Sequence, residues 1–398
     1  MITITKDIKK QISKNQKITG LSAALENYEY GIRNGMFKFV PSRIVYNKRP
    51  LAIVSSRDKI VQKGMKHLLE MIFEGSFCDS NHGFRVKRGF HTAINHMRIH
   101  FGGARWFIKG DIKRDFELVN HKILMDLIKE RVEDQAFIDL LYKYLRVGYI
   151  ADLYGVEHPK TGVPQGGVIS PILSNIYMHG LDLFVEETLK ERRVHYIRYG
   201  SEFLIGATGS KEDCEEIRAE IGKWLSEKRD LESSVRITHA MNSDVKFLGH
   251  IVKKEKKVIT IKAPIKDLVK GLVNKGYCKE GGKPTRCGRL VHLQVSDIIS
   301  NYLQLENGLR WYYRDCSNFR HFSGRMHYIL KYSCALTICS KLRLKTLRKT
   351  FKRFGANLTE GVGVCYPTPL EDHSKPKSYG YDFKSEPEIL IERFGRRS

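Results

Sequence analysis

Residues 194–207 contain the feature that most constrains the fold, two short apolar runs that alternate on either side of a tight polar tip. The tip reads Tyr199-Gly200-Ser201-Glu202. Alternating apolar residues around a glycine-containing tip predict a β-hairpin. The tip pairs one carboxylate, on Glu202, with the neutral hydroxyl of Ser201. A hydroxyl does not offset the charge of a divalent cation, and Mg²⁺ requires short, regular oxygen geometry. The tip is therefore a poor metal site.

The charge of the chain points to a polyanionic partner. The 398 residues contain 69 Lys and Arg against 44 Asp and Glu, a net charge of +25. A surplus of this size repels itself unless a polyanion binds, so nucleic acid is the first expectation and an anionic membrane surface the alternative. No apolar run reaches the ~18 residues needed to span a bilayer. The tyrosines and phenylalanines are spread throughout, which favours folded RNA-binding domains over a disordered basic tail.

The order of predicted elements around the hairpin indicates a ferredoxin-like domain. A strand at 106–112 precedes helices at 121–130, 135–146 and 170–189, and a helix at 211–228 follows the hairpin. Strand fragments then lead to Phe247-Leu248-Gly249-His250-Ile251. This β-α-β-β-α-β order is typical of the ferredoxin-like fold. A Gly-rich stretch near 274–288 reads as a linker, and 290–354 is helical in pattern. The cysteines form no C-x-x-C pair, so no zinc site is expected.

Several segments in order resemble the group II intron-encoded maturases, most closely the mitochondrial ones. They are PSRIVY (41–46), RDKIVQ (57–62), SNHGFRVKRGFHTA (80–93), WFIKGDIKRDF (106–116), GVPQGGVISPILSNIYMHGLD (162–182), RYGSEFLIG (198–206), FLGHI (247–251) and SCALTICSKLRLK (333–345). Each segment alone is a moderate signal, whereas their order and spacing together are a strong one.

The resemblance implies an α+β chain with the right-hand reverse transcriptase fold. The implied domains are an N-terminal extension and fingers (1–105), a ferredoxin-like palm (106–255), a linker (256–288), a helical thumb or maturase X domain (289–355) and an irregular tail (356–398). Nothing in the tail resembles the zinc-containing endonuclease of mobile relatives, so endonuclease activity is not expected.

The polymerase centre that the family uses is degenerate here. In the family the hairpin tip is Tyr-Ala-Asp-Asp, and these carboxylates with an earlier Asp hold two Mg²⁺ ions. Asp111 retains the earlier position, whereas Ser201 and Glu202 replace the pair. Ser234 stands where relatives have a Lys, and the basic loop between Tyr46 and Leu51 is mostly deleted. We therefore expect no catalytic residue, no cofactor and no metal beyond weak residual Mg²⁺ at Asp111 and Glu202.

The basic thumb leads to the opposite expectation. Residues 279–355 hold sixteen Lys and Arg but four Asp and Glu. On a continuous helix, Leu344, Leu347, Phe351 and Phe354 form an apolar stripe. A basic row lies about 120° away and consists of Lys341, Lys345, Arg348, Lys349 and Lys352. Tyr313 is either a stacking platform for bases or a core residue. The predicted RNA-binding residues are Arg85, Lys87, Arg88, Gln165, Arg310, Tyr313, Lys341, Arg343, Lys345, Arg348, Lys349 and Lys352.

The functional hypothesis is an RNA-binding maturase that stabilises a folded intron RNA and has neither polymerase nor endonuclease activity. One alternative is a structural RNA-binding subunit of another ribonucleoprotein, such as an organellar ribosome with its ribosomal RNA and protein partners. Another is an active RNA-directed DNA polymerase with an altered site. The expected location is the mitochondrion, with organelle encoding, and the alternatives are the chloroplast and the bacterial cytoplasm. No membrane partner is expected.

Overall fold

The computed structural model describes residues 30–32, 34–46, 50–114, 116–150, 156–157, 161–188 and 192–358. The chain divides into two compact units, residues 1–239 and 240–398. Two predicted features lie outside the described residues. They are the irregular tail beyond residue 358 and the shortened loop at residues 47–49. Among the described residues, no helix combines the length and the apolar character needed to cross a membrane.

The first unit is built on a four-stranded antiparallel sheet. Its strands are β3 (Trp106–Ile112), β6 (Val194–Tyr199), β7 (Glu202–Ala207) and β8 (Ser233–His239), in the order β6-β7-β3-β8. Strands β6 and β7 form the predicted hairpin, with Tyr199 paired to Glu202 at the tip. With a helical connection between β3 and β6 and another between β7 and β8, this strand order is the ferredoxin-like fold. The predicted α+β class and palm topology are confirmed.

Helices of the first unit cover the sheet and the segment before it. They are α1 (Ser56–Phe73), α2 (Phe90–His100), α3 (His121–Lys129), α4 (Gln135–Leu145), α5 (Ser170–Thr188) and α6 (Lys211–Arg229). The predicted helices match these bounds within a few residues because the apolar spacing fixes the buried face of each helix. Residues from the helices and the sheet form one core, which includes Leu69, Leu141, Leu173, Phe203 and Ile221.

A second small sheet in the first unit joins two strands that precede the palm to two short strands between α4 and α5. Strands β1 (Ser42–Tyr46) and β2 (Pro50–Ile53) pair antiparallel, and the short strands β4 (Tyr149–Ile150) and β5 (Val156–Glu157) extend the sheet. Ser55 caps α1, because its side chain accepts a hydrogen bond from the Asp58 backbone N–H at 3.1 Å. The buried Asp58 carboxylate accepts a second bond from the Val40 N–H. This cap fixes where α1 begins.

Over its described residues, 240–358, the second unit combines a three-stranded sheet with four α-helices. The strands are β9 (Val245–Phe247), β10 (His250–Glu255) and β11 (Val258–Lys262), in the order β11-β10-β9. The helices are α7 (Ile265–Asn274), α8 (Val295–Tyr312), α9 (Phe319–Lys341) and α10 (Leu347–Phe354). Asn318 joins sheet to helix, because its side chain bonds both the N–H and the C=O of Ala263.

Two expectations about this half of the chain differ from the structure. The segment 247–251, expected as the end of the palm, pairs within the sheet of the second unit, and the palm sheet ends at His239. The expected linker 256–288 begins with β11 and α7, because residues 258–262 alternate in burial and 265–274 have helical spacing. Only the part after Asn274, with its 3₁₀ turns at Glu280–Gly282 and Gly288–Leu290, lacks longer elements.

The continuous helix expected across 341–354 is interrupted. Helix α9 ends at Lys341 and α10 begins at Leu347. Between them, Arg343 and Lys345 adopt positive φ angles of 52° and 64°. Residues other than glycine rarely adopt this left-handed backbone conformation. Because neither position is a glycine, the sequence does not indicate that the helix is interrupted here. The basic row therefore belongs to a loop and a short helix.

Candidate functional site

The residues of the expected polymerase centre form one row across three strands. Asp111 of β3 lies opposite Glu202 of β7 on one side and opposite Ser234 of β8 on the other. Directly opposed residues have Cβ atoms about 5 Å apart. The Ser201 carbonyl accepts a hydrogen bond from the Ile112 N–H at 3.0 Å, which places the hairpin tip beside Asp111. The structure thus brings together Asp111, Ser201, Glu202 and Ser234 at one end of the sheet.

A lysine two residues before Asp111 on β3 engages the glutamate. The Lys109 Nζ lies 3.6 Å from Glu202 Oε2, and both side chains are about a quarter exposed. An ammonium group at this distance competes with a cation for the carboxylate and repels the cation. Ser201 and Ser234 supply neutral hydroxyl groups. The residues that line this end of the sheet do not fit a pair of Mg²⁺ ions, which require several carboxylate oxygens between them.

The frame that holds the hairpin is intact and rests on a buried ion pair. Arg198 of β6 donates two hydrogen bonds to Asp182 of α5, from Nε at 2.6 Å and from Nη2 at 2.7 Å. Both side chains are fully buried. Tyr196 Oη donates to the same carboxylate, and Arg198 Nη1 donates to the Gly200 carbonyl. A planar two-pronged pair of this kind fixes geometry as well as charge, so the tip is positioned by α5.

The loop before α2 packs directly on the tip. A Cβ on Gly83 would lie 2.4 Å from the Gly200 nitrogen, so the two backbones approach more closely than any side chain allows. The Asn175 amide donates to the Gly83 carbonyl at 2.7 Å, and the Gly83 N–H donates to Asn81 Oδ1. Gly200 itself has φ +61°, a conformation suited to glycine. The loop before α2, helix α5 and the hairpin tip are therefore held together by direct contacts.

The expected RNA contacts in the first unit are only partly exposed. Arg85 is buried, because its guanidinium pairs with Glu74 and donates to the carbonyl oxygens of Cys78 and Asn81. Arg85 therefore holds the loop together, and its assignment as an RNA contact is corrected. Lys87 is exposed, and Arg88 is partly exposed but pairs with Asp79. Gln165 is half-buried, and its carbonyl accepts from the Ala52 N–H.

Two of the expected RNA contacts in the second unit lie in its core. Tyr313 is 1% exposed and donates its hydroxyl to the Gly249 carbonyl at 3.1 Å. Arg310 is 6% exposed, 3.7 Å from the buried Glu306 carboxylate, to which His327 also bonds. Both assignments are corrected, because these side chains tie the helices and the strands of the unit together. The motif Trp311-Tyr312-Tyr313 is thus structural at its last two positions.

The basic row itself faces solvent. Lys341 is half-buried, with its Nζ 3.3 Å from the Val291 carbonyl. The remaining expected contacts are exposed: Arg343, Lys345, Arg348, Lys349 and Lys352. No acidic residue occurs between 341 and 353. The row presents a strongly positive surface on the loop and on α10.

The sequence analysis missed two tyrosines beside this row. Tyr328 and Tyr332 of α9 are 44% and 38% exposed, and their rings lie 5.2 Å apart. The Tyr332 ring meets Phe351 of α10 edge-on at 5.8 Å. Both tyrosines line a cavity of about 840 Å³ together with Arg343 and Lys345. The spacing of four residues along one helix is the signal in the sequence that points to this shared face.

Residues 41–252 match the family profile of reverse transcriptases (RNA-dependent DNA polymerases), which is more than half of the chain. Residues 256–388 match the type II intron maturase profile. The chain belongs to the reverse transcriptase-like intron maturases. The expected family is thereby confirmed, and the boundary between the two profiles falls within the β10–β11 hairpin, at residues 253–255.

The relatives of this intron maturase include proteins of introns from fungi and bacteria. The putative COX1/OXI3 intron 1 and intron 2 proteins of Saccharomyces cerevisiae are 34% and 31% identical over 81% and 87% of this chain. These matches cover 49% and 51% of the yeast proteins. The group II intron-encoded protein LtrA of Lactococcus lactis is 29% identical over 81% of this chain and 68% of its own length. The chain spans about half the length of the yeast relatives it matches.

One mitochondrial protein and one solved structure complete the comparison. Nuclear intron maturase 1, mitochondrial, of Arabidopsis thaliana is 21% identical over 85% of this chain and 63% of its own length. The apo telomerase of Candida tropicalis superposes with a TM-score of 0.46 at 12% identity, over 79% of this chain and 59% of the telomerase chain. Within the described residues, no cluster of three or more His, Cys, Asp or Glu side chains is arranged to hold a metal ion.

Proposed function

We propose that this maturase binds a structured group II intron RNA and stabilises its splicing-competent fold, while the RNA itself performs the transesterification steps. The observation that carries the proposal is the contrast between two regions. The polymerase row combines Ser201, Ser234 and a lysine-paired Glu202. The thumb instead presents an exposed basic row without acidic residues.

The basic row supplies the affinity in this proposal. Each Lys or Arg that neutralises a phosphate releases condensed counterions, so affinity falls linearly in a double-logarithmic plot against salt. The exposed side chains of Arg343, Lys345, Arg348, Lys349 and Lys352 are spread over a loop and one short helix. They form a compact patch suited to a few neighbouring phosphates. Lys87 and Arg88 in the fingers loop are further candidates for contacts to RNA.

The contribution to splicing is thermodynamic. A protein that binds the native RNA fold more tightly than misfolded forms shifts the RNA population toward the native fold, by an amount set by that difference in affinity. This role requires a rigid binding surface but no reacting group on the protein. The locked hairpin, with its buried Arg198–Asp182 pair, preserves the shape of the ancestral palm without its chemistry.

We further propose that the chain has no polymerase activity. Asp111 and Glu202 alone offer two carboxylates, and the Lys109 ammonium lies against one of them. A two-metal mechanism needs ions that stabilise both the attacking and the leaving oxygen. We also propose a mitochondrial location, supported by the relatives named as mitochondrial.

The test uses the full chain with a group II intron transcript and a ribosomal RNA fragment of equal length. We expect tighter binding to the intron RNA, and faster splicing at a Mg²⁺ concentration where the RNA alone splices slowly. Preference for the ribosomal RNA, with no effect on splicing, would support a structural ribonucleoprotein subunit instead. Equal, weak binding to both RNAs would overturn the proposal.

A further inference from the structure

The cavity in the second unit is strongly basic and partly aromatic. Its lining includes Lys279, Lys283, Arg286, Arg343 and Lys345, and none of the described residues that line it is acidic. Within the described part of the chain, none of these five cations forms an ion pair with a carboxylate. Its volume of about 840 Å³ lies in the range of ~300–1,000 Å³ that is typical of small-ligand sites. A closely spaced set of uncompensated cations favours a phosphate-bearing ligand.

One wall of the cavity is fixed by hydrogen bonds to helix α9. Ser333 Oγ donates to the Thr285 carbonyl at 2.6 Å, and the Cys287 N–H donates to Thr337 Oγ1 at 2.9 Å. Arg286 Nη1 donates to Ser340 Oγ at 3.0 Å, so its charge meets a neutral partner. The loop that carries the lysines is therefore held in place before any ligand arrives, which lowers the entropic cost of binding.

The lining also includes the two positive-φ residues. Arg343 and Lys345 hold φ angles of 52° and 64° in the turn between α9 and α10, and both line the cavity. Thr346 caps α10 directly after them, because its hydroxyl accepts from the Lys349 N–H. The turn keeps one guanidinium and one ammonium group at the cavity in an unusual backbone conformation, a pattern found at functional sites.

The aromatic part of the lining is suited to nucleobases. Tyr328 and Tyr332 lie one helical turn apart with ring centroids 5.2 Å apart and an interplanar angle of 48°. At this separation no base fits between the rings, so a base stacks on their exposed faces. The Arg325 guanidinium lies 5.8 Å from the centre of the Tyr328 ring, a distance at which a cation and an aromatic ring attract each other. Base stacking on exposed aromatic side chains is the usual means by which proteins hold unpaired RNA.

We propose that this cavity binds an unpaired nucleotide of the RNA, with the base stacked on Tyr328 and Tyr332 and its flanking phosphates held by Lys283, Arg286, Arg343 and Lys345. This inference rests on the proposed RNA-binding function. It adds the kind of local RNA structure that the protein prefers. The exposed row on α10 contacts phosphates of any RNA. The cavity selects RNA with a bulged or looped-out base, because a paired base is not available for stacking.

The experiment measures the affinity of the full chain for two fluorescein-labelled RNA hairpins. They share one stem, and one of them carries a three-nucleotide bulge. We expect the bulged RNA to bind roughly 5- to 150-fold more tightly, which is the stacking free energy of ~1–3 kcal/mol per base converted to an affinity ratio. The double variant Tyr328→Ala/Tyr332→Ala should remove this preference and leave binding of the paired hairpin within twofold. Tyr30→Ala, at another exposed tyrosine, is the matched control.

A second variant separates stacking from loss of structure. Tyr332 also packs on Phe351, so its removal can loosen α10. Tyr328→Phe/Tyr332→Phe keeps both rings and should retain the preference for the bulge. Photo-crosslinking with 4-thiouridine in the bulge should label the peptides that contain residues 279–286 or 325–332. Two outcomes would overturn only the cavity assignment while binding of intron RNA stays intact. One is that the double alanine variant loses affinity equally for both hairpins, and the other is that the crosslinks fall on other peptides. Loss of all RNA binding by the unaltered chain would overturn the proposed function.

Discussion

Asp111 of β3 and Glu202 of β7 lie directly opposite each other, and Lys109, two residues before Asp111, places its ammonium group 3.6 Å from the Glu202 carboxylate. Glu202, one of the two carboxylates that oppose each other across these strands, therefore forms an ion pair with a lysine of the neighbouring strand. A metal ion at this edge would meet one carboxylate that is already engaged. We therefore propose that this end of the sheet has a structural role.

The first prediction concerns the remaining carboxylate. Asp111→Ala should leave RNA affinity within twofold and the free energy of unfolding within about 0.5 kcal/mol, because the side chain is exposed. Filter binding and urea titration measure both quantities. Loss of splicing support by a variant that remains folded would show that Asp111 performs chemistry, contrary to the proposal.

The second prediction concerns the ion pair that positions the hairpin. Arg198→Met should destabilise the first unit by roughly 3–5 kcal/mol, because it leaves the fully buried Asp182 carboxylate without its partner. Lys223→Ala removes an exposed partner of Glu227 and should cost about 0–1 kcal/mol. Equal, small changes in urea midpoint for both variants would contradict the role of the buried pair.

The third prediction compares two glycines of the first unit. Gly83→Ala should destabilise by roughly 1–3 kcal/mol, because the added methyl group meets the Gly200 backbone nitrogen at 2.4 Å. Gly222→Ala, within α6, has no heavy atom within 4 Å of the new Cβ and should stabilise by up to about 1 kcal/mol. Thermal unfolding distinguishes the two signs. A neutral Gly83→Ala would show that the loop and the hairpin tip move apart readily.

The fourth prediction concerns pH. Burial lowers the pKa of His82 to about 3 and that of His96 to about 4, and the neighbouring imidazoles and Arg88 add to the effect. The two rings are 5.2 Å apart. Between pH 6.5 and about 3 the unfolded chain binds more protons than the native state at these sites. Stability should therefore fall as pH drops below 6.5, by at most ~1.4 kcal/mol per pH unit for each histidine.

The pH effect is tested with thermal unfolding of the variant His82→Gln/His96→Gln. The double variant should show a shallower loss of melting temperature between pH 6.5 and 5 than the unaltered chain. An identical pH profile for both proteins would indicate that other groups control the acid response.

The fifth prediction concerns the basic row. Lys345→Ala/Arg348→Ala/Lys349→Ala should weaken intron RNA binding and reduce the slope of log affinity against log salt by up to about 3, one for each lost phosphate contact. The triple control Lys211→Ala/Lys223→Ala/Lys228→Ala removes the same charge from exposed positions of α6. Equal salt slopes for the two triple variants would mean that net charge, rather than the row, controls affinity.

The sequence predicted elements well wherever spacing alone decides burial. The Ser55 cap, the hairpin at 194–207 and the helices that flank it follow from local patterns. Which strand completes a sheet depends on long-range pairing. The segment 247–251 resembles a palm element in order, yet it hydrogen-bonds within the second unit.

The binding residues were harder to predict because burial of a charge depends on partners distant in sequence. Arg85 is buried because Glu74 and two carbonyl groups receive its guanidinium, and Arg310 is buried beside Glu306. The cavity was missed because it depends on the break at Arg343 and Lys345, which no glycine signals. The basic residues were identified, but their separation into interior and surface required the fold.

The most direct test of the central claim measures RNA binding and primer extension in the same tube. The full chain is incubated with a primed intron transcript and deoxynucleotides, first with Mg²⁺ and then with Mn²⁺, while binding is followed by gel shift. The account predicts a salt-sensitive protein–RNA complex and no extended primer. Template-dependent extension that disappears in Asp111→Ala would contradict it.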